Sequence, residues 1–307
     1  MDSKFIPLPL LGSEIALSLY PQLIKLVPTT IEIQVAIRCI TYSILAIIGY
    51  YISKQNKTNT TSNTNILSFT TTSIVMGLVN IIHIMSSYVC FNTLSSGVGY
   101  TIFYIYPIFN LLGRTLIYNE KIDFINYIYI FISILGVYLI YKNNKDTNIE
   151  PLQNNNDILD IINTKNTNIG IIAGIVSAIT ESIIYFMVKD NLVSVSPFIQ
   201  LLKTYLFGGI LSIIYLIYNI TTNISIKLDY HYWITLILFN SIIGFVGHLL
   251  RFIMIPRLST LLFNSLIFIG VIFSYIWGYI LSNEPITYSN LSGTLLILMS
   301  IFLINKK

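Results

Sequence analysis

Ten apolar stretches, each about 20 residues long, leave this chain one class of fold, because a helix that crosses a bilayer needs about that length. They cover residues 6–26, 32–53, 66–90, 94–117 and 123–141, then 169–188, 197–218, 232–254, 259–281 and 287–304. Only 10% of the residues are charged, against about 25% in a soluble globular chain. The fold class expected is an all-α membrane protein of ten transmembrane helices, multi-pass and integral. The first stretch is expected to stay in the membrane. Only Lys4 precedes it, offset by Asp2, Glu14 interrupts it, and no small-x-small cleavage site follows.

Composition excludes several classes. The net charge of +4 is spread over short polar gaps, with no basic stripe for nucleic acid. Two cysteines, Cys39 and Cys90, both sit in apolar runs and give neither a disulfide framework nor metal-ligand spacing. No cofactor and no metal are expected.

The two halves of the chain repeat one another. A shift of 164 to 167 residues lays Glu14 on Glu181, Arg38 on Lys203, His83 on His248 and Glu120 on Glu284. A charge inside a bilayer costs about 2.5–3.5 kcal/mol on insertion scales, so each such residue is a candidate for function. Residues 1–145 form a first five-helix repeat, 146–167 an Asn-rich flexible polar linker, and 168–307 a second repeat. Five is odd, so two like halves must enter the membrane in opposite senses. That inverted repeat puts a site near the midplane between them. Lys and Arg in short loops orient the bundle. Lys4, Lys54, Lys57, Lys121, Lys189, Arg257, Lys306 and Lys307 fall on one side, against Lys25, Lys142, Lys145, Lys165 and Lys227 on the other. This places both termini in the cytoplasm.

Opposite insertion sorts the inner charges into two groups, Arg38 with His83 outward and Lys203, His248 and Arg251 inward, with Glu181 also inward. Two readings of these residues stand. They bind a solute's charged groups, gate a cavity or carry a proton, or they pair across helices and only hold them together. The full set, Glu14, Arg38, Lys203, Glu181 and Arg251, is formally +1 with neutral histidines, which leans toward an anionic or zwitterionic solute. Tyr100 and Tyr104 lie one turn apart on one face of the fourth span and are candidate cavity walls. Tyr106 and Asn110 sit in the same span, and Asn80 and Asn264 are comparable candidates at lower weight. Pro107 removes a backbone donor and should kink that span. Glu120 and Glu284 end the fourth and ninth spans, where a carboxylate can cap the next helix.

The third to fifth spans of each half resemble EamA-type drug/metabolite transporters. The first copy reads TLSSGVGYTIFYIYPIFNLLGRTLIYNEKI and then ISILGVYLIY. The second reads RLSTLLFNSLIFIGVIFSYIWGYILSNEPI and then LSGTLLILMSIFLI. Pro107, Glu120 and Gly136 match the family's mid-helix proline, helix-end glutamate and glycine-bearing fifth span, and Glu284 and Gly293 match in the second half. Pro28 and Arg38 resemble the opening of its second span. Val271 departs where a second proline would stand, and Lys203 where the first half has arginine. The resemblance implies a secondary transporter of a small polar or amphipathic metabolite. It also implies helices one to four and six to nine around a central cavity, with five and ten peripheral. The partners implied are a small-molecule substrate, the lipid bilayer, and a coupling proton or exchanged metabolite. A membrane-embedded enzyme acting on a lipid or acyl group is the rival class, followed by a scaffold on a transporter fold. No His/Asp or Ser/His pair stands at a helix end to serve the enzyme reading.

Overall fold

The computed structural model describes residues 8–55, 71–119, 123–146, 167–190, 196–221, 229–258 and 260–305, and no strand occurs among them. The first half comprises α1 (Leu8–Leu17), α2 (Tyr20–Leu26), α3 (Ile31–Gln55), α4 (Thr71–Thr93), α5 (Ser96–Phe103), α6 (Tyr106–Tyr118) and α7 (Phe124–Asp146). The second comprises α8 (Thr167–Asp190), α9 (Pro197–Thr221), α10 (Tyr230–Leu238), a π-helical segment (Phe239–Phe245), α11 (Val246–Met254), α12 (Thr260–Leu266), α13 (Phe268–Ser282) and α14 (Tyr288–Asn305). These helices make ten spans in two inverted repeats of five. Residues 147–166, nearly all of the expected linker, lie outside the described residues.

The bundle buries its polar side chains within a largely apolar core and turns apolar ones outward. On α3, Gln34, Arg38 and Ser43 are buried while Ile44, Ile48 and Ile52 are exposed. The same reversal holds on α9, where Gln200 and Thr204 are buried and Ile210, Ile213 and Ile217 face out. In water such a surface would aggregate. In a bilayer it is the side chains' preferred contact.

Packing follows a two-fold relation between the halves. The second span packs on the seventh (α3 on α9), the fourth on the ninth (α5 on α13) and the fifth on the tenth (α7 on α14). The third packs on the sixth (α4 on α8), which the eighth and first repeat (α11 on α1). The fifth and tenth spans meet through the two motif glycines. A Cβ added at Gly136 would lie 2.7 Å from the Gly293 carbonyl oxygen, and one added at Gly293 would lie 2.7 Å from that of Gly136. Small residues let membrane helices approach closely, and here they let two counterpart helices cross backbone to backbone.

Three spans are broken, and only two of the breaks carry a proline. The first span breaks between α1 and α2, with Pro21 at the start of α2, and the fourth between α5 and α6, with Pro107 at the start of α6. Proline is well placed in a first helical turn, where its missing donor has no partner to lose. The ninth span breaks at Ile267, between α12 and α13, without one. A proline is therefore one way to make this break and not a condition for it. Asn119 and Asn283 end the fourth and ninth spans in the left-handed conformation, with φ of 54° and 52°. Asparagine tolerates that conformation better than other non-glycine residues.

Candidate functional site

Short spacings on single helices aim the polar side chains inward. His83, Ser87 and Phe91 follow one another at intervals of four on α4, Arg38 and Tyr42 share a face of α3, and His248 and Arg251 share a face of α11. All of these but Tyr42, with Leu17, Tyr20, Tyr100 and Phe103, surround a cavity of about 30 Å³ between the halves, lined from the first four spans and the eighth. Glu181 of α8 and Tyr205 of α9 reach it through the residues they bind.

The π-helical segment shapes one wall. Its wider winding is common at functional sites, and here it ends three residues before His248. Gly244 within it has no Cβ. One placed there would lie 2.5 Å from the Tyr42 hydroxyl and closer still to that of Tyr20. Both hydroxyls use the space.

Arg38 occupies an aromatic cage. Its guanidinium carbon lies 4.5 Å from the ring centre of Tyr20, 5.4 Å from Tyr42, 5.7 Å from Tyr88 and 5.7 Å from Tyr205. Such contacts contribute about 0.5–2 kcal/mol each, more when desolvated. Nη2 donates to the Tyr205 hydroxyl at 3.0 Å and to His248 Nε2 at 2.9 Å. A guanidinium only donates, so Nε2 of His248 carries no proton. Nδ1 carries it and donates to the Gly244 carbonyl at 3.0 Å. The Tyr42 hydroxyl lies 3.1 Å from the same nitrogen and 2.7 Å from the Tyr20 hydroxyl, which donates to Asn240 Oδ1 at 2.8 Å. Among the described residues no carboxylate pairs with Arg38.

Arg251 has the opposite surroundings. Nη2 pairs with Glu181 at 2.8 Å and donates to the Tyr106 hydroxyl at 2.8 Å, while Nε stands 3.4 Å from Glu14. Glu14 is fully buried and accepts from the Tyr104 hydroxyl. His83 Nδ1 faces the Ser177 carbonyl at 3.2 Å, and its Nε2 lies 3.4 Å from Glu181. Tyr100 and Tyr104 stack with ring centres 4.6 Å apart, Tyr100 lining the cavity and Tyr104 bound to Glu14 behind it.

The structure thus brings together Glu14, Arg38, His83, Tyr100, Tyr104, Glu181, His248 and Arg251, and leaves Lys203 out. Lys203 is half-buried and stands two residues before Tyr205, about 200° around a helix of 3.6 residues per turn. Tyr205 faces Arg38, so Lys203 faces away. Without it the set falls from +1 to a formal charge of 0, two arginines against two glutamates. The expected sorting into outer and inner groups does not occur either. Arg38 binds His248 and His83 stands beside Glu181, so one connected site spans both halves.

Of the motif residues, Pro107 sits at the break of the fourth span. Glu284 caps a helix, but in the other repeat and not the next one. It accepts from the Ser96 backbone N–H at 2.6 Å and from the Ser96 hydroxyl at 3.0 Å, at the start of α5, and pairs with Lys25. Gln22 joins this knot by donating to the Ser96 hydroxyl at 2.6 Å. Glu120 lies outside the described residues. Asn80 donates to the Thr204 carbonyl at 3.1 Å, and Asn110 accepts from Ser182 at 2.7 Å, so both tie helices together.

Sequence reasoning missed the four caging tyrosines, Asn240 and Lys25. Tyr42 carried a signal, four residues beyond Arg38 on the same face. Tyr20, Tyr88 and Tyr205 come from three other helices and are hidden among 22 tyrosines.

No curated protein matches the chain. A solved structure described as "Crystal structure of protein" superposes with a TM-score of 0.58 over 97% of this chain and 94% of that one, at 11% identity, which shows a shared fold. The family model for the EamA-like transporter family matches residues 6–142 and 168–306, both five-span repeats and nearly all of the sequence between its ends, and the chain belongs to that family.

Proposed function

We propose that this membrane transporter carries a small polar or amphipathic organic solute through the central cavity by alternating access, the two halves rocking about the bound solute. One observation carries this reading. Charged and polar side chains from both repeats, among them Arg38, His83, His248 and Arg251, converge on one cavity. Groups so costly to hold in a bilayer are otherwise rare. The cavity's volume is about 30 Å³. Small-molecule sites usually measure about 300–1,000 Å³, so solute entry requires the helices to separate. The close crossing of α7 and α14 at Gly136 and Gly293, away from the cavity, is a fitting place for the hinge.

The knot of Lys25, Glu284, Ser96 and Gln22 ties the first, fourth and ninth spans at one end and acts as a closure on that side. A proton or a second metabolite exchanged in the opposite direction would drive net transport, and both termini face the cytoplasm.

Uptake of a broad metabolite panel into proteoliposomes tests the reading, with and without an imposed pH gradient or a preloaded solute. Flux above protein-free vesicles for at least one solute is expected. Absence of flux across the panel, with conversion of a lipid instead, would overturn it.

A further inference from the structure

We propose that the solute is an organic monocarboxylate, its carboxylate seated on Arg38 and its flat apolar body against Phe91, Tyr100 and Phe103. This rests on the transport reading of the same cavity and names the chemistry the cavity selects.

Arg38 is 4% exposed and lines the cavity. A buried arginine ordinarily has a carboxylate beside it, and Arg38 has none among the described residues. Its neighbours supply ring faces, a hydroxyl and an unprotonated imidazole nitrogen, none of which carries a negative charge. Its Nε, buried, has no hydrogen-bond partner. A guanidinium donates strongly to a carboxylate; both Nη2 hydrogens are taken by Tyr205 and His248, and the Nε–H is left for a solute oxygen.

The two glutamates do not meet that need, because both are committed to Arg251. Neither is among the residues lining the cavity, whose charged members are Arg38 and Arg251. The wall met by a solute is therefore cationic while the site as a whole is formally neutral. One negative charge balances the one arginine left without an acid. A solute ammonium would meet two guanidiniums and no accessible carboxylate, which sets a zwitterion below a simple anion. Ring faces complete the slot: Phe91 and Tyr100 stack at 5.7 Å, and Phe103 stands edge-on to Phe91 at 6.1 Å. A flat apolar body suits such walls.

The test compares four solutes that share a benzyl group on the purified full-length protein: phenylacetate, phenylacetamide, phenethylamine and phenylalanine. Binding is read by the shift in thermal unfolding in detergent, and flux by uptake into proteoliposomes against protein-free vesicles. Phenylacetate is expected to bind tightest, and Arg38→Gln to weaken it by at least about 30-fold, the scale on which truncating one member of a buried charge pair acts. Arg38→Lys, which keeps the charge but not the fork, is expected to fall in between. The ranking of the four solutes on unmutated protein needs no variant to fold. Preference for the amine, the amide or the zwitterion over phenylacetate overturns the inference and leaves transport standing. So does transport of some other solute with no binding of phenylacetate. Absence of flux for every solute tried overturns the transport reading and this inference with it.

Discussion

Arg38 and Arg251 are the same residue at the same burial, each 4% exposed, and both line one cavity, yet they are held in different ways. Arg251 sits between two carboxylates that anchor it to the first and sixth spans. Arg38 sits among four tyrosine rings and a histidine, with no acid among the described residues. The difference separates a charge whose partners lie within the fold from one whose partner is a proposed visitor. Buried ion pairs add little net stability, but breaking one by removing a single partner is severe. Replacing a caged, acid-free arginine by a neutral group strands no counter-charge.

The largest effect is therefore expected at Arg251. Arg251→Gln strands Glu14 and Glu181 and should destabilise the protein by about 3–5 kcal/mol, read as a fall in unfolding midpoint or in yield of folded protein. Arg251→Gln with an unchanged midpoint would erase the contrast. Next is Gly244→Ala, which touches no charge. Its methyl group would fall on the Tyr20 and Tyr42 hydroxyls and spread the cage, and a cost of about 1–3 kcal/mol together with weaker solute binding is expected. Tyr205→Phe removes one hydroxyl that accepts from Arg38, and about 1 kcal/mol of stability is the expected loss in chemical denaturation. The smallest effect belongs to Glu284→Gln, which loses the pairing with Lys25 at a partly exposed position and weakens the cap on α5. About 0.5–1 kcal/mol should go, with phenylacetate binding unchanged in a thermal-shift titration.

Physics local to the chain made most of the fold legible. Twenty-residue apolar runs count the spans, and an odd count per repeat inverts one half. Pro107 marked the break of the fourth span. The break at Ile267 was invisible, because Val271 stands where a proline would signal it. The Asn-Glu pair recurs at 119–120 and 283–284, and its asparagines prove to be left-handed helix ends.

The site was half legible. Ionisable residues in apolar runs are conspicuous one by one, so Glu14, Arg38, His83, Glu181, His248 and Arg251 could be named. Their pairing could not, because it depends on the rotation of each helix. Matching Arg38 to Lys203 by repeat position put a charge at the cavity that helix geometry turns away. The repeat preserves helices better than side-chain roles. The second half answers Arg38 with Arg251, three residues and less than a full turn beyond His248, the position the shift selects for His83. The tyrosine cage assembles from four helices, and no spacing in the sequence encodes it.

Transport by Arg38→Gln is the most direct test of the difference between the two arginines. Reconstituted side by side with the unmutated protein, and at an equal unfolding midpoint, the variant should show no phenylacetate uptake above protein-free vesicles. Uptake at the unmutated rate would mean that Arg38, like Arg251, belongs to the framework and that the solute binds elsewhere.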